Sequence, residues 1–273
     1  MSTDIENVLV TGGSQGLGLA LAKLLAERGA HVVLCSRSES KLQAALEAVE
    51  LSYVVADVST FEGAAKAVAQ CPFVPSAVFC CAGGAKPGFF LEQNEADFQQ
   101  GVKLDYWTAL ATSHAAAASM KQHGVHGKIV FVSSVLGFMG MVGYAQYSPM
   151  KYAIRGTCLG DVSHSGLAEC LRMELLLHGI QVHCYFPATI LSPGFEEENK
   201  TKPSLTKEIE GTDEGQTPEQ CAAHLLRGIE RHYFSVTDGL IGSWMRIASN
   251  GCAPGQDWLS DSLLLLPARP SHW

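Results

Sequence analysis

The sequence predicts a single-domain α/β fold, a doubly wound parallel sheet with helices on both faces. Three features carry this expectation. Short apolar runs alternate with helical stretches through the front half of the chain. Each run is continuously apolar instead of alternating, as strands buried on both faces require. The strand–helix pairs recur as units of about 30 residues, the size of a parallel crossover. In order, residues 7–11 read as a strand and 16–27 as a helix with Leu17, Leu21, Leu24 and Leu25 on one face. Residues 31–35 and 38–49 repeat the pair, 53–58 and 63–70 repeat it again, and 77–81 form a fourth strand. Further on, the pattern predicts a long helix over 95–120, a strand over 128–133, a second long helix over 146–177 and a strand over 181–186. Right-handed crossovers then distribute the helices over both faces.

All 273 residues are expected to form one domain, since domains usually run to about 100–200 residues and no low-complexity linker interrupts the chain. Within it, residues 193–216 are polar and breaker-rich and read as a mobile insertion on the ligand side. A helix follows at Thr217, with Pro218 in its first turn. Residues 233–273 are apolar, with Trp244, Met245, Trp258 and four consecutive leucines. Interior packing is the expectation for them, with contact to a membrane surface or a partner subunit as the alternative. The net charge of −8 argues against nucleic acid, which needs a basic footprint. Nine cysteines are scattered without metal-ligand spacing or a CxxC pair, so they are expected to be buried, reduced thiols, and no metal site is expected. The N-terminal residues lack the basic and apolar regions of a secretory signal, and no apolar run reaches the length of a spanning helix.

The junction of the first strand and helix reads Thr11-Gly12-Gly13-Ser14-Gln15-Gly16-Leu17-Gly18. Glycines there permit a tight turn and let backbone N–H groups at a helix N-terminus meet a pyrophosphate, as in a Rossmann-type dinucleotide site. At the end of the second strand, Cys35-Ser36-Arg37-Ser38 has no acidic residue. A carboxylate there would bind the ribose 2′-hydroxyl of NAD, whereas Arg37 pairs with a 2′-phosphate, so the cofactor is expected to be NADPH/NADP+, with Ser36 and Lys41 as secondary contacts.

Tyr147 and Lys151 stand four residues apart, one helical turn, so the ammonium is expected to lower the phenol's pKa and ready it for proton exchange near neutral pH. Ser134, thirteen residues before Tyr147, ends a strand and is the candidate to hold a substrate oxygen. Ser133 and Tyr144 are set aside, Tyr144 because Ser148 and not a lysine lies four residues on.

The GxxxGxG loop with the ordered Ser134, Tyr147 and Lys151 resembles the short-chain dehydrogenase/reductase family over roughly residues 5–230. That resemblance implies catalysis by Ser134, Tyr147 and Lys151, with Lys151 also holding the nicotinamide ribose. It implies adenine contacts from Asp57 and Val58, a cofactor-side turn at Ala82 and Gly83, and a nicotinamide segment over Pro187, Ile190 and Ser192. Asp105 falls where relatives carry the asparagine of a catalytic tetrad, and is taken as a relay member beside Lys151. The resemblance also implies a homodimer or homotetramer, built on the helices around residues 95–120 and 146–177.

Residues 192–203, Ser-Pro-Gly-Phe-Glu-Glu-Glu-Asn-Lys-Thr-Lys-Pro, resemble a segment of the 3-ketodihydrosphingosine reductases, as do 130–134, 152–156 and 217–220. This implies a long-chain sphingoid ketone as substrate and work at the cytosolic face of the endoplasmic reticulum, with peripheral membrane contact left open. Glu196, Glu197 and Glu198 are candidates to attract the substrate's ammonium group. The alternatives are a reductase of another hydrophobic ketone, whether 3-oxoacyl, steroid or retinoid, and a non-catalytic NADPH-binding sensor or scaffold.

Overall fold

The computed structural model describes residues 5–46, 51–155, 157–159, 162–164, 166–211, 214–249, 255–256 and 261. Continuous apolar runs form the strands β1 (Asn7–Thr11), β2 (His31–Ser36), β3 (Ser52–Val55), β4 (Ala77–Cys80) and β5 (Lys128–Val132). Every residue of β4 is buried, as are four of the five in β1, which is what a strand covered on both faces needs. The helices between them are α1 (Gly16–Glu27), α2 (Glu39–Leu46), α3 (Phe61–Ala69), α4 (Glu95–Gly101) and α5 (Thr108–His123). With β8 (Gln181–Phe186) and β9 (Ser235–Thr237), the strands make a seven-stranded sheet in the order β3-β2-β1-β4-β5-β8-β9. All six pairings are parallel. The chain winds outward from β1 to β3, then returns to the other side of β1 at β4. The strand order therefore reverses between β1 and β4, where loops at the carboxyl ends part to leave a crevice.

Two cores flank the sheet. On one face α3, α5, α6 (Ser148–Arg155) and α7 (Leu167–Leu175) bury Ala67, Met120, Ile154 and Leu175 against Phe131 and Phe186. On the other, α1, α2 and α10 (Pro218–Glu230) bury Leu21, Leu42 and Leu225 against Leu34, Phe79 and Val130. The start of α10 follows its sequence signature: Thr217 and Gln220 form a reciprocal capping box and Pro218 takes the first turn.

Several sequence expectations are corrected. The helix expected over 95–120 is not uniformly α-helical, because a π-helical segment, Val102–Trp107, joins α4 to α5. The helix expected over 146–177 is broken after Arg155 by a short antiparallel hairpin, β6 (Thr157–Leu159) and β7 (Val162–His164). Between Arg155 and Leu167 the sequence carries Gly156, Gly160 and Gly166 with Thr157, Val162 and two serines, all weak helix formers. The polar segment over 193–216, expected as a mobile insertion, holds two helices, α8 (Pro193–Thr201) and α9 (Ser204–Glu210). The last helix, α11 (Gly239–Ala248), leaves Trp244 partly exposed while Met245 packs on the core. Trp258 and the four leucines lie outside the described residues. Cys35, Cys71, Cys80, Cys81, Cys170, Cys184 and Cys221 are free; Cys35, Cys80, Cys184 and Cys221 are buried, but Cys170 is exposed.

Candidate active site

A cavity of about 980 Å³ opens at the carboxyl ends of the strands, centred on the β1/β4 switch point. The glycine loop forms its floor. Gly12 turns the chain with φ of 67°, and α1 packs so close beneath it that a Cβ on Gly18 would lie 2.5 Å from the Gly12 carbonyl. Gln15 precedes α1 without a side-chain cap, so the first-turn N–H groups face the cavity unclaimed by that residue. This floor suits an anionic pyrophosphate.

At the end of β2, the Ser14 hydroxyl donates to Ser36 Oγ at 3.2 Å and Lys41 Nζ donates to Gln15 Oε1 at 3.3 Å. Arg37 is exposed on the cavity wall beside them. Its charge reaches Asp57, which burial pushes up but which two bonds from Ser59 and the cations Lys103 and Arg37 hold below the usual carboxylate value. Val58, Ala82, Gly83, Pro187, Ile190 and Ser192 complete the wall. Ser192 Oγ is occupied in capping α8, accepting from the Phe195 N–H at 3.3 Å. Every residue expected from the sequence to touch a dinucleotide thus lines one cavity, and Ser134, Tyr147 and Lys151 line it too.

Tyr147 stands in the turn before α6, and the Lys151 N–H donates to its carbonyl at 3.2 Å, which sets the one-turn spacing of the two side chains. The Ser134 hydroxyl lies close enough to the phenol to favour its deprotonated form. Ser134 is anchored in turn, its hydroxyl oxygen accepting from the Leu136 N–H at 3.1 Å. Lys151 is buried, with Nζ 5.2 Å from the Tyr147 ring centre. It donates to the Val132 carbonyl at 3.2 Å and pairs with Asp105 Oδ1 at 3.2 Å.

The π-helical segment brings Asp105 to that position, 1% exposed. The same Oδ1 accepts from the Gly84 N–H at 3.2 Å, and Gly83 leaves the space, since a Cβ there would sit 2.8 Å from it. Burial works against the Lys151 ammonium, but the Tyr147 phenol and the Asp105 carboxylate outweigh it and hold its pKa above the ordinary lysine value. The expectation of a phenol tuned toward neutrality is corrected. Burial pushes Tyr147 up to about 12; Lys151 and the Ser134 hydroxyl pull it down, while Asp105 and Glu198 push it up.

Sequence reasoning missed the wall opposite the glycine loop. Tyr144, set aside in the sequence, is buried with its ring centre 5.9 Å from that of Tyr147. Its hydroxyl donates to Glu198 and lies 3.1 Å from Glu210 Oε1. Between the two carboxylates sits Lys202, with Nζ 3.2 Å from Glu198 Oε1 and 2.8 Å from Glu210 Oε2. Glu198 and Lys202 were in plain view as part of a charged run, yet only the pairing of α8 with α9 brings Glu210 to them. Of the three consecutive glutamates, Glu198 faces the cavity while Glu196 and Glu197 are exposed outside it.

The fold and the site together define a nicotinamide-dependent oxidoreductase, and the comparisons agree: the chain matches the family described as short chain dehydrogenase over residues 6–203 and belongs to it. Among curated relatives it is 37% identical to a 3-ketodihydrosphingosine reductase of Cryptococcus neoformans, over 96% of this chain and 79% of that protein. It is 33% identical to a 3-ketodihydrosphingosine reductase of Aspergillus fumigatus, over 94% and 78% of the two chains. A PIGF/3-ketodihydrosphingosine reductase fusion protein of Schizosaccharomyces pombe is 35% identical over 96% of this chain and 53% of its own. Of solved structures, a short-chain dehydrogenase from Sphingobium yanoikuyae in complex with NADPH superposes with a TM-score of 0.73 over 98% of both chains at 20% identity, a likeness of fold. Among the described residues, no helix is long and apolar enough to cross a membrane.

Proposed function

We propose that this protein uses NADPH to reduce the 3-keto group of 3-ketodihydrosphingosine, a long-chain 2-amino ketone, to the alcohol. The observation that carries the reading is the 37% identity with the Cryptococcus reductase over 96% of the chain. The cavity supports it, since it joins a phosphate-fitting glycine loop to a phenol, a serine hydroxyl and a buried ammonium.

When bound, the dinucleotide supplies the hydride that the carbonyl carbon accepts. Gly12, Gly16 and Gly18 with the α1 N-terminus would hold its pyrophosphate, and Ser36, Arg37 and Lys41 its 2′-phosphate. Tyr147 donates the proton to the carbonyl oxygen. Its raised pKa keeps it protonated for that task at neutral pH. Ser134, beside the phenol on the cavity wall, holds the same oxygen in line. Lys151 stabilises the phenolate left behind, and Asp105 acts through Lys151 by keeping it charged and in place. Asp105 is thus a positioning residue. The chain acts as one domain, with α8 and α9 as its substrate-side wall.

The reading is tested by following NADPH oxidation with 3-ketodihydrosphingosine and the full chain. Wild type should turn over, and Tyr147→Phe should lose on the order of 10²- to 10⁴-fold in kcat while still binding NADPH. Equal turnover by the two proteins would remove Tyr147 from the chemistry. A 3-oxoacyl thioester, steroid or retinoid reduced faster than the sphingoid ketone would replace the substrate.

A further inference from the structure

Two carboxylates and one ammonium meet on the α8–α9 wall, so Glu198, Glu210 and Lys202 together carry one negative charge in excess. The lysine is sealed behind them: its side chain is 1% exposed, against 20% for Glu198 and 24% for Glu210. The rings of Phe195 and Tyr144 flank its Nζ at 4.7 and 5.7 Å. Tyr144 has already committed its hydroxyl hydrogen to the carboxylates. What this cluster turns toward the cavity is therefore lone pairs and surplus negative charge. A salt bridge that only pinned α8 to α9 would need one carboxylate for one lysine. A second, partly buried carboxylate is costly unless something cationic completes the set.

The position of the cluster says what that something is attached to. Tyr144 packs at a tilt against Tyr147, and the Glu198 charge is felt at the Tyr147 phenol, so the acidic face lies next to the reacting carbonyl. Arg37 and Lys41 make the opposite end of the same cavity cationic, which leaves the acidic end for the substrate. Around that end Ile209 and Ile241 are half or more exposed, and Met139, Met141 and Met245 line the opening. An apolar chain leaving the carbonyl would run along these side chains.

We propose that Glu198 and Glu210, held by Tyr144 and Lys202, form the subsite for a primary ammonium group on the carbon next to the ketone, and that they select long-chain 2-amino ketones over neutral ones. The proposal rests on the reductase reading above and deepens it. Charge-assisted hydrogen bonds from the ammonium to the open carboxylate faces supply the discrimination. Acylating the nitrogen removes both the charge and the fit.

The test compares three 3-ketones of equal chain length with the full protein and NADPH: the 2-amino ketone, its N-acetyl derivative and the ketone without nitrogen. Wild type should favour the amine in kcat/KM. Glu198→Gln and Glu210→Gln, made singly, should each lower the ratio of kcat/KM for the amine to kcat/KM for the neutral ketones by on the order of 10- to 100-fold, chiefly through the KM of the amine. Equal losses on all three ketones, or an unchanged ratio, would overturn the subsite and leave a structural pin. A wild type that reduces the neutral ketones as well as the amine would overturn the subsite while preserving the reductase. A wild type that reduces none of the three would overturn the reductase reading and the subsite with it. An independent arm needs no variant: decylamine should inhibit wild type at a concentration about tenfold or more below that of decanol. Equal inhibition by the two would also overturn the subsite.

Discussion

Tyr147 is a phenol whose surroundings favour keeping its proton. With its pKa pushed up to about 12 by burial, it is protonated at every working pH, so reduction should not vary on its account between about pH 6 and pH 9. The reverse reaction needs the phenolate, and its rate should rise about tenfold per pH unit over that range. A pH–rate profile in both directions checks this. Asp105 raises both the Tyr147 and the Lys151 values, so Asp105→Asn should shift the oxidation profile to lower pH and keep or raise reduction near neutrality. A loss of several orders of magnitude would assign this carboxylate a part in the chemistry beyond positioning Lys151. In the proposed function Arg37 selects the cofactor through its charge. Arg37→Asp should lower the preference for NADPH over NADH, read as the ratio of kcat/KM values, by on the order of 10- to 100-fold, and an unchanged ratio would free Arg37 of that role.

The elements differ in how far their own sequence dictates them. The strands β1, β4 and β8 are buried on both faces and follow directly from their apolar runs. Strand β8 also carries His183 inward, its Nδ1 hydrogen-bonded to the Tyr233 carbonyl at 2.7 Å. Burial pushes its pKa down to about 4, so the folded chain keeps it neutral while the unfolded chain protonates it near 6.5. Its contribution is present above pH 6.5 and is lost as pH falls through about 4, at most about 3 kcal/mol. Thermal melts across that window should show a shallower acid loss for His183→Asn than for wild type; parallel curves would remove His183 from the account. The π-helical segment before α5 behaves differently from the strands. Nothing in the local pattern of residues 102–107 marks it, because the extra residue per turn is selected by where Asp105 must meet Lys151 and Gly84.

At the scale of the whole molecule, the cavity draws on both halves of the sheet: the β1 and β2 loops on one side, the β4, β5 and β8 loops on the other. A ligand that spans it binds only the folded chain, and so stabilises the whole fold. NADPH at about a hundredfold its Kd should add about 2.7 kcal/mol, seen as a melting temperature that climbs with cofactor concentration. NADH at the same concentration should raise it less, because Arg37 and Lys41 meet no 2′-phosphate. Equal shifts for the two cofactors would place the selectivity elsewhere.

By itself, the sequence determined the parallel α/β sheet, the glycine turn, the basic end of β2 and the serine, tyrosine and lysine that face the cavity. Those features depend on apolar periodicity, turn geometry and short spacings along the chain, one helical turn from Tyr147 to Lys151 and thirteen residues from Ser134 to Tyr147, all of which are close in sequence. Tertiary structure alone decided the contact geometry of Asp105 with Lys151, the raised Tyr147 value and the Tyr144–Glu198–Lys202–Glu210 cluster, and it broke the helix expected over 146–177. Their energies come from burial and from charges brought together across separate elements, and a linear pattern of residues carries neither depth nor distance.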